Sequence, residues 1–512
     1  MMNVGSLLDR QADRNPHKLA MVDGGRQWTY HRLNHRANQL AEGFMDLGVQ
    51  KGDRVGVLLP NCGEYWETYF ALAKIGAVMV LINWRMSLKE IGFILTDAEC
   101  QALVVHHVRS TELLSNDLAV SMPPTVLVVG PVPPHPFLSF VEVLEQASPE
   151  FLNAPDVALH DDQLLLYTSG TTGRPKGVLI THENTLWNSI NQIVDLALTA
   201  QDSTLVICPL FHVSGLYDLT FPLLHIGGTV YIASRFDPSE TLRTIEQQRI
   251  TTLMTVPTMI YDLINVSEIT RYNHSSLRLV VCGGAPLPVQ IIEKAMVQLS
   301  PHFVQGYGLT EGTSVVTFLP SDESTRRLGS IGKPFLHVDL KLVDDGHQPV
   351  AIGEVGEIVI RGHTVTRGYW HLVEETRKAF RDGWLVTGDM ARQDEDGFLY
   401  LVDRRKNLII SGGENIYPKE IEDVLLQHPA VREAAVVGVP DERWGEAILA
   451  VIVTKPGHTT DADGIREFCL SHLASYKKPR HVRFVEKLPR TDTGKVSKPI
   501  LQQLLSGGTA PL

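Results

Sequence analysis

Short runs rich in valine, isoleucine and leucine recur along most of the 512-residue chain, separated by stretches with helical periodicity. Several runs are almost continuously apolar, as expected for strands that are covered on both faces rather than on one. The pattern therefore predicts mostly parallel α/β layers. The runs span residues 54–59, 102–105, 125–129, 164–167, 204–208, 229–232, 252–256 and 279–282.

Two other stretches refine this picture. Residues 353–369 change to an alternation of apolar and polar side chains, which predicts an antiparallel section. Residues 69–82 are mostly apolar, but Lys74 interrupts them and they are too short to span a bilayer, so they predict a buried helix that leads into a strand.

Composition excludes several classes of protein. The chain is too long for one ordinary core, and 44% apolar with 20% charged residues is typical of a globular protein. A net charge of −12 argues against a general nucleic-acid binder, so an anionic ligand must meet local basic clusters. We expect neither a signal peptide, because residues 1–16 are polar, nor a transmembrane segment, and we expect a cytoplasmic location. Five scattered cysteines without a CxxC pair predict a reducing compartment and argue against a zinc site.

The most informative segment is Tyr167-Thr168-Ser169-Gly170-Thr171-Thr172-Gly173-Arg174-Pro175-Lys176-Gly177, directly after an apolar run. Glycines let backbone N–H groups curl around an oxyanion, the hydroxyls add donors, and lysine adds a positive charge. The segment suits a triphosphate, although its spacing differs from that of ordinary P-loops because Gly177 follows Lys176. By itself it is also compatible with a plain turn, and a helix is expected from about His182.

Four later segments extend the pattern, and together with the first they resemble the adenylate-forming superfamily of acyl-CoA synthetases, peptide-synthetase adenylation domains and beetle luciferases. The closest overall resemblance is to bacterial fatty-acyl-CoA synthetases. The four segments are Gln305-Gly306-Tyr307-Gly308-Leu309-Thr310-Glu311, Trp384-Leu385-Val386-Thr387-Gly388-Asp389, Asp403-Arg404-Arg405-Lys406-Asn407 running into Ser411-Gly412-Gly413-Glu414-Asn415, and Pro489-Arg490-Thr491-Asp492-Thr493-Gly494-Lys495.

The resemblance implies a large α/β domain at residues 1–402, with layered, mostly parallel sheets, helices and a smaller antiparallel β section. A hinge at residues 403–407, with Lys406 at its pivot, would join it to a small, mobile α+β domain at residues 408–512. The C-terminal domain would rotate between two half-reactions.

The implied reaction is attack of a carboxylate on the α-phosphate of ATP, followed by displacement of AMP by the thiol of CoA, with Mg²⁺ bridging phosphate oxygens. A carboxylate is already anionic near neutral pH, so catalysis is expected to be electrostatic rather than to need a general base.

The resemblance assigns roles to residues of every segment. Lys495, His212 and Thr168 would act at the reacting groups, and Glu311 and Thr168 would reach the metal. Tyr307 would stack on adenine, and Asp389 and Arg404 would bind ribose. The remaining residues expected to bind ATP are Ser169, Gly170, Thr171, Thr172, Gly173, Lys176, Gly284, Ala285, Pro286, Gly306, Gly308 and Thr310.

His212 would also gate the acyl carboxylate, beside a neutral acyl pocket of small residues that disfavours a dicarboxylic acid. The other expected pocket residues are Val213, Gly283, Gly308, Gly312 and Thr313. Asp218 lies too far along the chain to match the aspartate that pairs an amino group, so an aminoacyl substrate is disfavoured. The CoA-binding residues would be Arg85, Gly412, Gly413, Glu414 and Trp444.

A medium- or long-chain fatty acid is the expected substrate. The alternatives are an aryl-CoA ligase for benzoates or cinnamates and a fatty-acyl-AMP ligase that loads a carrier protein. A luciferase-like oxygenase and an inactive scaffold are disfavoured. Peripheral membrane contact and a homodimer stay open.

Overall fold

The computed structural model describes residues 3–113, 122–133, 137–151, 154–168, 175–284, 287, 289–411, 414–441, 444–490, 496–498 and 500–502, without the side chains of Arg404, Lys406, Ile410, Glu414 and Asn415. Helices and strands alternate through most of this length. The α-helices are α1 Val4–Arg14, α2 Tyr30–Asp46, α3 Gly63–Ile75, α4 Leu88–Asp97, α5 His107–Leu113, α6 Phe140–Gln146, α7 His182–Asp195, α8 Val213–Tyr217, α9 Thr220–Ile226, α10 Pro238–Gln248, α11 Pro257–Ile264, α12 Val289–Gln298, α13 Val373–Ala379, α14 Pro418–Leu425 and α15 Ala462–His472.

The strands are short, as the apolar runs predict. They are β1 Leu19–Asp23, β2 Arg26–Thr29, β3 Arg54–Leu58, β4 Val78–Leu81, β5 Ala102–His106, β6 Thr125–Val129, β7 Leu138–Ser139, β8 Asp162–Thr168, β9 Lys176–Thr181, β10 Ser203–Val206, β11 Thr229–Ile232, β12 Thr252–Thr255, β13 Leu279–Cys282, β14 Phe303–Leu309, β15 Ser314–Leu319, β16 Lys333–Pro334, β17 Asp339–Val343, β18 Val355–Arg361, β19 Phe380–Arg381, β20 Trp384–Gln393, β21 Leu399–Arg404, β22 Ile409–Ser411, β23 Glu414–Ile416, β24 Val431–Asp441, β25 Gly445–Thr454 and β26 His481–Phe484.

Two mixed, mainly parallel sheets form the large α/β part of the described chain. One has nine strands in the order β16-β15-β14-β13-β12-β10-β11-β1-β2, parallel from β14 through β1. The other has seven strands in the order β7-β6-β5-β3-β4-β8-β9 and is parallel except for β8 against β9. Their side chains share one apolar core with α1, α2 and α3. The predicted mixed α/β architecture is confirmed.

Two smaller five-stranded sheets complete the described fold. Strands β17 to β21 make an antiparallel sheet in which β18 and β20 pair, so the predicted antiparallel section is confirmed. Strands β22 to β26 make the second sheet, which packs with α14 and α15 around a core of its own.

Helix α3 shows how a charged helix can be buried. Each of its thirteen residues lies in the interior, including Glu64, Glu67 and Lys74. An unpaired charge would be costly there, and each of the three pairs with a side chain from outside the helix. Arg26 pairs with Glu64, Arg36 with Glu67, and Asp9 with Lys74. The predicted buried helix before β4 is therefore confirmed.

The five cysteines, all within the described residues, are buried and free of disulfides. Among the described helices, none combines the length and apolar character that crossing a bilayer requires.

Candidate functional site

The predicted phosphate segment lies at the tip of a β-hairpin. Thr168 ends β8 and Lys176 begins β9, and the two residues face each other in an antiparallel register. Strand β9 was not anticipated, although α7 begins at His182 as predicted. Ser169, Gly170, Thr171, Thr172, Gly173 and Arg174 lie outside the described residues.

Lys176 is held by a carboxylate from a distant part of the sequence. Its Nζ lies 2.5 Å from Glu375 Oε2 on α13, and 5.3 Å from the centre of the Tyr369 ring. The hydrogen bond from Lys176, together with Lys378, lowers the pKa of Glu375 to about 2. Two anions, Glu375 and an incoming phosphate, would therefore compete for the same ammonium group.

Glu311 lies beside this cluster, on a 3₁₀ turn at Thr310–Gly312. The Tyr369 hydroxyl donates to Glu311 Oε1 over 3.0 Å, and burial, with Glu311 nearby, raises the pKa of Tyr369. Tyr369 is fixed because its segment pairs with β9: Val178 and Tyr369 form a bridge, and the Trp370 N–H donates to the Gly177 carbonyl over 2.8 Å. The expected metal carboxylate and phosphate lysine therefore share Tyr369 as a neighbour.

The expected adenine and ribose residues are in direct contact. The Tyr307 hydroxyl donates to Asp389 Oδ2 over 2.7 Å, and both side chains are buried. Asp389 on β20 is the register partner of Arg404 on β21, so backbone pairing places the two expected ribose residues side by side.

Several of the expected ATP-binding and acyl-binding positions near Tyr307 are glycines. Gly308 leaves no room for a side chain, since a Cβ there would lie 1.9 Å from the Ser314 carbonyl oxygen. Gly306 lies on β14, two residues before Gly308. Gly283 and Gly284 follow β13, and Gly284 has a φ of +83°, a conformation that favours glycine. Ala285 and Pro286 lie outside the described residues.

The expected acyl residues lie on two elements. His212 and Val213 are at the start of α8, while Gly312 and Thr313 lie on the turn into β15. Thr313 is buried, has a φ of +57°, and donates from its hydroxyl to the Thr364 carbonyl over 2.6 Å. Helix α8 packs against β15, which brings the two sets together.

The expected CoA residues are only partly described. The Trp444 N–H donates to Asp441 Oδ1 over 2.9 Å, and the Arg480 guanidinium lies 4.3 Å from the Trp444 ring centre. Arg85 is exposed and lies over the Trp84 ring. Lys495, Gly412 and Gly413, and the side chains of Arg404, Lys406 and Glu414, lie outside the described part.

The residues present fit a magnesium ion that is held mainly by substrate. Mg²⁺ prefers oxygen ligands and usually takes one or two from protein, with phosphates and waters supplying the others. Glu311 and Thr168 offer such oxygens, and among the described residues no group of three or more His, Cys, Asp or Glu side chains could hold an ion.

Known proteins resemble this chain along almost its whole length. A family profile described as AMP-binding enzyme matches residues 8–370, and that of the AMP-binding enzyme C-terminal domain matches residues 420–495. The chain belongs to the AMP-binding enzyme family. Like the named CoA ligases in that family, it is an AMP-forming acyl-CoA synthetase that uses ATP, Mg²⁺ and CoA.

Relatives of this AMP-binding enzyme differ in the acids that they use. A feruloyl-CoA synthase of Amycolatopsis sp is 39% identical over 97% of both chains. An indoleacetate–CoA ligase of Aromatoleum aromaticum is 37% identical, and a long-chain-fatty-acid–CoA ligase of Mycobacterium tuberculosis is 35% identical, each over 99% of both chains.

Solved structures share the fold. MatB from Rhodopseudomonas palustris with ATP bound has a TM-score of 0.90 and 32% identity, over 98% of this chain and 99% of that one. The anthranilate CoA ligase AuaEII with anthranoyl-AMP has a TM-score of 0.91 and 30% identity, over 99% and 98%.

Two neighbours of the expected ATP residues were not found from the sequence. Tyr369 closes the alternating stretch 353–369, so its position at the end of the antiparallel section was the available signal. Glu375 gave none, because it lies 199 residues from Lys176.

Proposed function

We propose that this acyl-CoA synthetase activates an aryl carboxylic acid as its adenylate between the β8–β9 hairpin, the β14–β15 turn and β20, and then transfers the acyl group to CoA. The observation that carries the proposal is the convergence of Lys176, Glu311 and Tyr369 at one end of this region and of Tyr307 and Asp389 at the other. One end suits a metal-bound triphosphate and the other a nucleoside.

Each residue then has a role that its surroundings allow. Lys176 would leave Glu375 and bind the β- and γ-phosphates, while Glu311 and Thr168 would hold Mg²⁺, which neutralises charge on the phosphate oxygens. Tyr307 would stack on adenine. Asp389 would accept hydrogen bonds from the ribose hydroxyls, and Arg404 would donate a hydrogen bond to the ribose. His212 would orient the acid, and Lys495 would bridge its carboxylate and the α-phosphate.

We place the mobile domain at residues 408–512, with the hinge at 403–407. Strands β22 to β26 begin at Ile409 and form a sheet with a hydrophobic core of its own. A separate sheet and core support movement of this domain as a rigid body. Rotation about Lys406 would remove Lys495 after adenylation and bring the Gly412–Glu414 segment and Trp444 towards CoA.

Two observations support an aryl acid. The chain is similar to enzymes named for feruloyl, indoleacetate, 2-succinylbenzoate and anthranilate substrates. In the expected acyl wall of Val213, Gly308, Gly312 and Thr313, the Ser314 backbone also lies close to Gly308, and such a narrow space suits a flat ring.

A medium- or long-chain fatty acid is the second candidate. Similarity to a long-chain-fatty-acid–CoA ligase supports it. Gly308 does not, because the Ser314 carbonyl occupies the space that a missing side chain would otherwise leave for an apolar tail.

A comparison of kcat/KM between acids that are assayed one by one decides between the two substrate classes. Purified protein receives ATP, Mg²⁺, CoA and one acid at a time (benzoates, cinnamates, indole-3-acetate, and fatty acids from hexanoate to palmitate), and kcat/KM is measured from AMP release. We expect the best aryl acid to exceed the best fatty acid by at least tenfold. A fatty acid that exceeds every aryl acid would overturn the aryl assignment and leave the ligase class intact.

The Lys176–Glu375 pair leads to a prediction about ATP affinity. Glu375→Gln removes the anion that competes with the triphosphate, so we expect KM for ATP to fall about two- to fivefold with little change in kcat. The matched control is Glu374→Gln, because Glu374 pairs with Arg377 on the surface and should leave KM unchanged. A KM for ATP that stays constant or rises in Glu375→Gln would exclude competition at Lys176.

A further inference from the structure

A buried carboxylate at the end of α8 has no part in the mechanism above. Asp218 directly follows α8, and the residue is 3% exposed. Within the described residues, the side chain accepts one hydrogen bond, from the Ser314 hydroxyl to Oδ1 over 2.5 Å. Burial raises the pKa of Asp218 to about 7, although the bond from Ser314 opposes the shift.

This bonding leaves most of the carboxylate unused. An ionised carboxylate has about four acceptor positions, and buried carboxylates are normally paired with cations or saturated with donors. The three charges of α3 follow that rule, whereas the described part of the chain offers Asp218 the Ser314 hydroxyl and no cation. The second oxygen therefore suits a donor that arrives with a ligand.

The position of Asp218 connects it to the acyl wall. Its partner Ser314 follows Thr313, and both have positive φ, +85° and +57°, which is a strained backbone for residues other than glycine. The Ser314 carbonyl fills the place that a Gly308 side chain would take. Asp218 is thus held by the same turn that forms the expected pocket.

The spacing along α8 sets the expected length of the ligand. His212 caps the start of α8 and Asp218 follows its end, six residues later. At 1.5 Å per residue the two are separated by about 9 Å along the helix axis. This distance suits an aromatic ring with a short side chain that carries the reacting carboxylate at one end and a polar group at the other.

We propose that Asp218 is a specificity-determining residue that accepts a hydrogen bond from a hydroxyl group on the ring of the acid, at the end remote from the reacting carboxylate. The inference rests on the proposed aryl-CoA ligase function. A hydroxyl completes the bonding of the buried carboxylate, whereas a methylene chain or a bare ring leaves it unpaired, and a second carboxylate repels it.

Matched acids test the inference. The full-length protein receives ATP, Mg²⁺ and CoA with cinnamate, 4-hydroxycinnamate or 4-methoxycinnamate, which differ only in the terminal group. We expect kcat/KM for 4-hydroxycinnamate to exceed both others by roughly ten- to a hundredfold in the natural protein. Asp218→Ala should bring the hydroxy-to-unsubstituted ratio close to one, and Asp218→Asn should give an intermediate ratio.

Each ratio compares kcat/KM for two acids with the same variant, so a partial loss of folded protein lowers both values equally and leaves the ratio unchanged. If Asp218→Ala does not fold, the isosteric Asp218→Asn still tests the ratio. Asp237→Asn controls for removal of a carboxylate, because Asp237 caps α10, where asparagine serves as well, and it should keep the natural ratio.

Two outcomes would overturn the inference, and they can be told apart from failure of the proposed function. Equal activation of the three acids by the natural protein, or an unchanged preference in Asp218→Ala, would show that Asp218 does not recognise the hydroxyl group. Either result would leave the proposed aryl-CoA ligase function intact. Activation of fatty acids with no turnover of any aryl acid would overturn both.

Discussion

Replacing Lys495 by alanine is expected to slow adenylate formation about a thousandfold, or about 4 kcal/mol of barrier, while thioester formation from a presynthesised acyl-adenylate and CoA survives. Adenylation brings two anions together, and a cation that bridges them is needed at that step. Thioester formation has no such bridge, and the hinge would have removed Lys495 from the site. The two half-reactions are measured separately, as pyrophosphate release and as CoA-dependent release of AMP from the adenylate.

Lys487→Ala is the matched control, since this exposed lysine precedes the same segment and should leave both steps unchanged. Equal loss of both half-reactions in Lys495→Ala would contradict the alternation of the C-terminal domain in this chain.

The second large effect is expected for Glu311→Gln, which should slow adenylation about a hundredfold or more, or about 2.7 kcal/mol. An amide keeps the shape and can still accept from the Tyr369 hydroxyl, but it loses the charge that attracts Mg²⁺. We therefore expect a higher Mg²⁺ concentration to restore part of the rate, as followed by pyrophosphate release over a magnesium titration.

Tyr369→Phe separates the charge from its hydrogen bond, because it removes the hydroxyl and leaves the Glu311 carboxylate. We expect a loss of less than tenfold in this variant. A rate of Glu311→Gln equal to that of the natural protein, or a loss that magnesium does not alter, would argue against Glu311 as the metal carboxylate.

The layered sheets could be predicted because strands buried on both faces leave almost unbroken apolar runs, as at Leu279–Cys282. Strand β9 was missed because Lys176-Gly177 looks like the end of a phosphate loop, and its strand character comes from pairing with β8 and with the segment around Tyr369. The spacing of apolar residues predicts buried strands far better than it predicts which strands pair with each other.

Contacts between distant residues explain what the sequence did not show. Glu375 meets Lys176 from 199 positions away, and Ser314 meets Asp218 from 96 positions away. The distance of Asp218 from His212 argued only that it could not pair an amino group beside the reacting carboxylate. Asp218 is buried and lies at the end of α8, which only the fold reveals. These two observations suggest a different role for the residue.

The most direct test of the central claim is the stoichiometry of the complete reaction. Purified protein is incubated with ATP, Mg²⁺ and its best acid, with and without CoA, while pyrophosphate, AMP and the acyl thioester are quantified. We expect pyrophosphate to stop near one equivalent per enzyme without CoA, and AMP and acyl-CoA to accumulate in equal amounts over many turnovers when CoA is present. Pyrophosphate that stays near one equivalent despite CoA would contradict the account, because the adenylate would then need another acceptor.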